Sequence, residues 1–287
     1  MSADLTTAVE RAAPLEPATP VVSEHPVVAP AGLASPSSIL IGSVGFGMIF
    51  LLAWQFLPPA LGVPSYIIPT VSDLAREFGR MVQRENLMVH VLSTVTIATL
   101  GFVIGSLLGA AMGYVLGTSV FIEKVLSPYI LGLQIAPKVA FAPLFIMWLG
   151  YNAWPKLLVT ILVVFFPILV NVLQSMKTVD RDLINLARAY SMNRLQIFWK
   201  IEVPASMPAL MAGLRIGATL AVIGVTVGEL VGGNTGLGYL ITFGEGQANT
   251  AMVFNAIVLL TLIGIVLYGA VAVIEGRVLH YIPRAMR

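Results

Sequence analysis

The stretch Leu157-Leu-Val-Thr-Ile-Leu-Val-Val-Phe-Phe-Pro-Ile-Leu-Val-Asn-Val-Leu173 decides the class of fold, because fourteen of its residues are Leu, Ile, Val or Phe. Such a run gains roughly 4 to 8 kcal/mol on entering a bilayer, and Asn171 and Gln174 do not cancel that. In hydrocarbon every backbone polar group needs an internal partner, so the run must be a helix. Outward from it lie five further stretches of about the 20 apolar residues that a span requires. They fall near 39–57, 91–117, 125–150, 208–231 and 251–274. Pro128, Pro137 and Pro143 interrupt the third, so its first ten residues either cross the membrane or lie along the interface. Only 10% of the chain is charged against about a quarter in soluble domains, and 57% is hydrophobic. The expectation is an all-helical membrane protein of six spans, with a transmembrane domain over 39–287.

Residues 1–38 hold six prolines and eight alanines and lack both a basic and an apolar signal region. They read as a disordered cytoplasmic tail, with the first span as an uncleaved anchor. The net charge of +2, without a basic cluster, excludes nucleic-acid binding. The chain has no cysteine, hence no disulfide, thiolate zinc site or thiol nucleophile. His25, His90 and His280 are too scattered for a metal site, and neither a catalytic constellation nor a cofactor motif is found in the spans.

Lys and Arg are counted on each side of the six spans, with both termini inside. Ten fall on the cytoplasmic side and four, Arg76, Arg80, Arg84 and Lys156, outside. The segment 177–207 then lies inside. It reads as two short helices, the first with Leu183, Leu186, Ala187 and Tyr190 on one face. Ser191 and Asn193 suit a turn or N-cap, and Leu195, Phe198 and Trp199 belong to a second helix that Pro204 and Pro208 are expected to stop. Periodicity leaves two readings open for this hairpin: a docking surface, or a pair lying flat on the membrane.

In the fifth span Arg215, Thr219, Thr226 and Glu229 share one stripe, and Gly213, Gly217, Gly224 and Gly228 share the opposite side. The flat side should press on a neighbouring helix and the polar stripe should line a translocation pathway; hydrogen bonding across helices is the plainer alternative. Asn171 and Gln174, with Ser175, make a second polar stripe open to the same two readings. Gly101, Gly105, Gly109, Gly113 and Gly117 form a ladder for close packing. Lys138 either lines a broken helix or extends its ammonium to the headgroups from about a turn inside the boundary; the second is favoured.

The 180–204 segment resembles the cytoplasmic loop signature of ABC importer permeases. That signature runs Glu-Ala-Ala, three residues, Gly, nine residues, Ile, one residue, Leu-Pro. Here Asn185, Leu186 and Ala187 are followed by Ser191, Ile201, Val203 and Pro204 at every matching step. Asn185 replaces the usual Glu and Ser191 the usual Gly, so the left-handed bend that Gly permits is left to Asn193. Pro137-Lys138-Val139-Ala140, Ala142-Pro143-Leu144 and Gly236-Leu237-Gly238-Tyr239-Leu240-Ile241 are similar to the nitrate, sulfonate and taurine type, which includes permeases for riboflavin and the thiamine pyrimidine precursor.

The resemblance implies a type I importer bundle in the cell inner membrane, paired with a second permease copy. It also implies that Asn185, Leu186, Ala187, Tyr190, Ser191, Ile201 and Pro204 couple to an ABC ATPase subunit. An extracytoplasmic solute-binding protein would dock at the outward loop 232–246, on Asn234 and Thr235. The chain contains no Gly-Lys pair and so no phosphate loop, which leaves ATP hydrolysis to the partner. Because the polar stripe is read as combining Arg215 with Glu229, a neutral or mixed-charge solute is expected, leaning to a heteroaromatic vitamin or precursor over nitrate, sulfonate or taurine. The rival from another class, an ion-coupled secondary transporter, would need more ionisable groups than Glu229 and an inverted repeat, which is not found.

Overall fold

The computed structural model describes residues 36–281. Of the tail expected over 1–38, residues 1–35 lie outside the described residues, and 36–38 already belong to the first helix. Every regular element among the described residues is helical. In order they are α1 (Pro36–Ala60), α2 (Val71–Arg84), α3 (Leu87–Thr118), α4 (Val120–Ile135), α5 (Ala142–Leu149), α6 (Ala153–Lys177), α7 (Arg181–Ala189), α8 (Arg194–Ile197), α9 (Val203–Gly232), α10 (Leu237–Gly246) and α11 (Thr250–Val278). The chain divides into two compact units after Phe50, the described part of the first being residues 36–50 of α1. The second unit carries everything that follows.

Five helices are long and apolar enough to cross a membrane, and six if the bent pair Val120–Ile135 and Lys138–Leu149 counts as one span. That pair turns through 81°, at the prolines that made the third stretch ambiguous. Pro137 has no N–H and biases Ala136 towards extended backbone, and Ala136 indeed takes φ −54°, ψ 137°.

The bundle is organised around α6. Its residues Val159, Val164, Ile168, Leu169 and Val172 are fully buried, and two glycine faces approach it from different sides. On α3, Gly105, Gly109 and Gly113 lie so close to α6 that an added Cβ would stand 3.0 Å from the Ile161 carbonyl, 2.6 Å from that of Phe165 and 2.8 Å from Val172 Cβ. On α9, Gly224 and Gly228 approach the α6 backbone at the Cα atoms of Thr160 and Lys156, with an added Cβ at 2.9 and 2.7 Å. Both glycine sets thus do what their spacing foretold. Between apolar helices in lipid, close van der Waals packing of this kind drives association.

Two local readings need correcting. The second hairpin helix is not stopped by Pro204 and Pro208: α8 runs through a π-helical stretch, Phe198–Glu202, into α9 without a break. In that wider turn Val203 N–H reaches the Phe198 carbonyl, and Pro204, in the first turn of the next segment, sits where its missing N–H costs least. The glycine-rich segment 232–246 is not one loop; after Gly236, with φ 116°, it becomes α10. The connection between the first two spans holds α2. Thr70 and Asp73 start α2 as a reciprocal capping box. Asn255 Nδ2 of α11 donates to the Leu74 carbonyl at 2.9 Å, and Asn249 Nδ2 to Glu77 Oε1 at 2.7 Å.

Substituting Gly109 by Val should force α3 and α6 apart and cost about 1–3 kcal/mol by overpacking, read as a lower midpoint of thermal unfolding in detergent. Gly132→Ala, where nothing lies within 4 Å, should leave that midpoint unchanged. Equal midpoints for both variants would contradict the grip on α6.

Candidate functional site

At one end of the bundle α7 and α8 form an elbow. Asp180 caps α7, its carboxylate accepting the Asp182 N–H at 2.8 Å. The helix ends in a paired Schellman arrangement: Met192 N–H donates to the Ala187 carbonyl at 3.1 Å and Ser191 N–H to that of Arg188 at 2.9 Å. The residue that must be left-handed in this motif is Ser191, at φ 56°. The bend expected of Asn193 is therefore made by Ser191 itself. Asn193 instead caps α8, exchanging hydrogen bonds with Gln196 at 2.8 and 2.9 Å.

The elbow's outer side is apolar and uncovered: Leu186 is 55% exposed, Tyr190 77% and Trp199 62%, with Leu183 and Leu195 similarly bare. Asn185 is exposed beside them, Ile201 and Pro204 are half-buried, and Ala187, at 5% exposure, is turned inward. The single face read for Leu186 and Ala187 thus splits. At the elbow's root Tyr114 of α3 pairs with buried Ser206 at 2.9 Å and meets Phe198 edge-on. Beside it Lys177 binds Glu123 at 2.5 Å.

At the opposite end of α9 a polar latch closes the bundle. A helix begins with unpaired N–H groups, and those at the start of α10 are taken up by side chains of two other helices. Gly236 meets His90 Nδ1 with both its N–H, at 3.1 Å, and its carbonyl, at 3.2 Å. Leu237 N–H donates to Thr94 Oγ1 at 2.8 Å, and Gly238 N–H to Glu229 Oε2 at 2.8 Å. The Thr94 hydroxyl in turn donates to the Glu229 carboxylate, 2.9 and 3.0 Å from its two oxygens. A carboxylate at a helix N-terminus is also favoured by the helix dipole. Lys156, only 3% exposed, donates its Nζ to the Thr235 carbonyl at 2.7 Å and lies within electrostatic reach of Glu229. A Cβ on Gly236 would overlap the Glu229 carboxylate.

These contacts change the placing of several residues. Glu229 has no exposed surface and belongs to the latch, apart from Arg215, Thr219 and Thr226. Lys156, counted above among the outside loop charges, sits inside the first turn of α6. Thr235 is held by Lys156 while Asn234 is exposed. Arg215 pairs with Glu275 of α11 and lies over the Tyr268 ring, so it is not a partner of Glu229. The solute argument built on that combination loses its basis. Thr219 and Thr226 do line a common cavity of about 570 Å³ between α9 and α11, with Tyr268 and otherwise mostly aliphatic walls. Their hydroxyls donate back to Ile216 and Val222 carbonyls of α9 itself. Asn171 likewise donates to the Pro167 carbonyl, and Gln174 is exposed. Lys138 is not near a boundary: it lies over Phe166, at the middle of α6.

The sequence reading missed the Lys156–Thr235 and Arg215–Glu275 contacts because both join residues far apart in the chain. The one available signal was cost, since Lys156, Arg215, Glu229 and Glu275 each border or enter an apolar run and so need partners.

A span-rich helical bundle with an uncovered apolar elbow is the architecture of a membrane permease subunit. The chain belongs to the family of binding-protein-dependent transport system inner membrane components, whose model matches residues 101–280. It is 31% identical over 237 residues to the formylaminopyrimidine transport permease protein ThiX of Halalkalibacterium halodurans, covering 82% of this chain and 94% of that one. It is 35% identical over 228 residues to the riboflavin transport system permease protein RibX of Chloroflexus aurantiacus, covering 79% and 85%. Among solved structures, inward-facing conformations of the MetNI methionine ABC transporter share the fold, with a TM-score of 0.60 at 18% identity over 67% of this chain and 95% of that chain. The protein is thus a multi-pass inner-membrane permease subunit of an ABC importer, and its class works with a separate ATPase and a solute-binding protein.

Ser191→Gly should keep the Schellman bend and remove about 1–2 kcal/mol of left-handed strain, whereas Ser191→Val should lower both the unfolding midpoint and transport. In the latch, Glu229→Ala leaves the Gly238 N–H and Lys156 less well satisfied and should destabilise by about 3 kcal/mol. Adding Lys156→Met to it should cost less than the two single losses combined. Additive midpoints would show that the two groups act independently.

Proposed function

We propose that the elbow is the coupling element through which the partner ATPase drives this permease, with the elbow and both termini on the cytoplasmic side. The observation that carries this is the row of bare apolar side chains, Leu183, Leu186, Tyr190, Leu195 and Trp199, on an element that continues directly into a span. The helix from Arg194 to Gly232 has 39 residues, about 58 Å at 1.5 Å per residue. It therefore runs from the elbow to the latch, and a displacement imposed on α7 and α8 reaches Glu229 through one rod. Asn185, Leu186, Tyr190 and Ser191 form or shape the docking face, Ala187 holds the elbow to the bundle, and Ile201 and Pro204 belong to its root.

Two copies around a two-fold axis would enclose the pathway, since one bundle of this size cannot surround a solute. Arg215, Thr219 and Thr226 lie along the α9 side of that pathway, with Asn171 and Gln174 nearer the elbow. Asn234 and Thr235, above the latch, face the solute-binding protein. The solute is read as a heteroaromatic vitamin or precursor, riboflavin or a thiamine pyrimidine, because relatives named for those solutes are 31–35% identical to this chain. A relative named for aliphatic sulfonates, SsuC of Bacillus subtilis, is 29% identical over 81% of this chain. Sulfonate, taurine or nitrate import is thus the second reading.

Because Ala187 is inward, a charge there would damage the elbow itself. The cleaner test is Leu186→Asp together with Tyr190→Asp, both at exposed positions. In proteoliposomes containing the ATPase and binding protein, each should keep its unfolding midpoint, lose co-purification with the ATPase and lower uptake about tenfold or more. Normal uptake and normal ATPase recovery in both would remove the docking role. Equilibrium binding of riboflavin and taurine to the cognate binding protein separates the two solute readings.

A further inference from the structure

Neither the elbow nor the latch uses Lys138. It opens the 3₁₀ turn Lys138–Phe141, directly after the break between α4 and α5. Its ammonium donates to the Gln134 carbonyl at 2.6 Å, a group that the break takes out of helical pairing. It also stands 4.9 Å over the centre of the Phe166 ring. Phe166 lies midway along α6, about 20 Å from one end and about 17 Å from the other at 1.5 Å per residue, so the ammonium sits near the centre of the apolar layer. A lysine there costs roughly 2.5–3.5 kcal/mol unless it is solvated or paired. Among the described residues no carboxylate forms an ion pair with it.

The ammonium is turned inward rather than to a headgroup. A cavity of about 340 Å³ opens on it, walled by Gln134, Val139, Val163, Phe166 and Leu220. An ammonium carries three donors, and one is spent on Gln134. A cation with donors to spare therefore stands at mid-depth over the face of Phe166, where a broken helix exposes the Gln134 carbonyl.

We infer that Lys138, with Gln134 and Phe166, is a solute-contacting site at the middle of the membrane, its ammonium binding a hydrogen-bond-accepting oxygen or nitrogen of the passing solute. A ring carbonyl of a heteroaromatic solute and an oxygen of a sulfonate offer the same chemistry, and the Phe166 ring in the cavity wall favours the first. The inference rests on the import reading above but not on the choice between its solutes.

The native chain has no cysteine, so Lys138→Cys gives the permease one thiol. The assembled complex, with ATPase and binding protein otherwise free of cysteine, is reconstituted and tested with riboflavin, formylaminopyrimidine and taurine. Uptake is followed for whichever of them the unaltered complex accumulates with ATP. Lys138→Cys and Lys138→Met should each lower uptake about tenfold, the loss expected for one charge-assisted hydrogen bond, while binding-protein-stimulated ATP hydrolysis stays within about twofold of the unaltered complex. Aminoethylation of the thiol with 2-bromoethylamine rebuilds a lysine-length cation and should restore uptake; alkylation with a neutral ethyl group should not. Uptake retained in Lys138→Met, equal rescue by the neutral group, or ATP hydrolysis falling in step with uptake would each overturn the site. Accumulation of taurine and neither ring compound would instead overturn the heteroaromatic reading, with Lys138 judged on taurine.

Discussion

The grip of two glycine faces on α6 is the constraint from which the rest follows. Lipid offers apolar helices no hydrophobic reason to associate, so they are held by close approach and by the polar contacts that approach allows. On α3 and α9 the missing side chains bring backbones within van der Waals contact of α6, in places against its own carbonyls. That arrangement fixes the three helices in register. Only with the register fixed do Thr94 of α3, Lys156 of α6 and Glu229 of α9 arrive at the same depth to meet the start of α10.

The latch and the elbow are the two ends of one mechanical element. α9 begins in the π turn below Trp199 and ends at Gly232, beyond Glu229. Its middle is smooth on the α6 side, so it has few side-chain interlocks to resist sliding or rotation there. Its ends are different. At the elbow it is tied through Ser206 to Tyr114, and at the latch through Glu229 to Thr94 and Gly238. A helix that is smooth in the middle and anchored at both ends suits the transmission of a displacement, because strain concentrates in a few hydrogen bonds with discrete alternatives.

Much of this was legible in the sequence, and what was not has a physical reason. The five long spans, both glycine faces and the hairpin all come from short-range periodicity, which reports directly on which side of a helix is flat, apolar or polar. The break at Pro137 was visible as a doubt about the third span. Three things were hidden. Pro204 looks like a stop, yet the π turn before it absorbs the missing donor. The stripe joining Arg215 to Glu229 is real on a helical wheel, but over fourteen residues the neighbouring helices change, so Arg215 meets Glu275 of α11 while Glu229 meets Thr94 of α3. Lys156 reads as a loop charge because the start of α6 was placed one turn too late.

The fate of the ionisable groups in the spans also bears on what powers the protein. An ion-coupled carrier needs a carboxylate that exchanges its partner during the cycle. Here Glu229 accepts from Thr94 and Gly238 within electrostatic reach of Lys156, and Glu275 is paired with Arg215. Each carboxylate is committed to holding helices together, and releasing either would leave a charge stranded in a medium that penalises it. The structure thus spends these two acids on cohesion. That commitment agrees with a family whose members work with a separate ATPase.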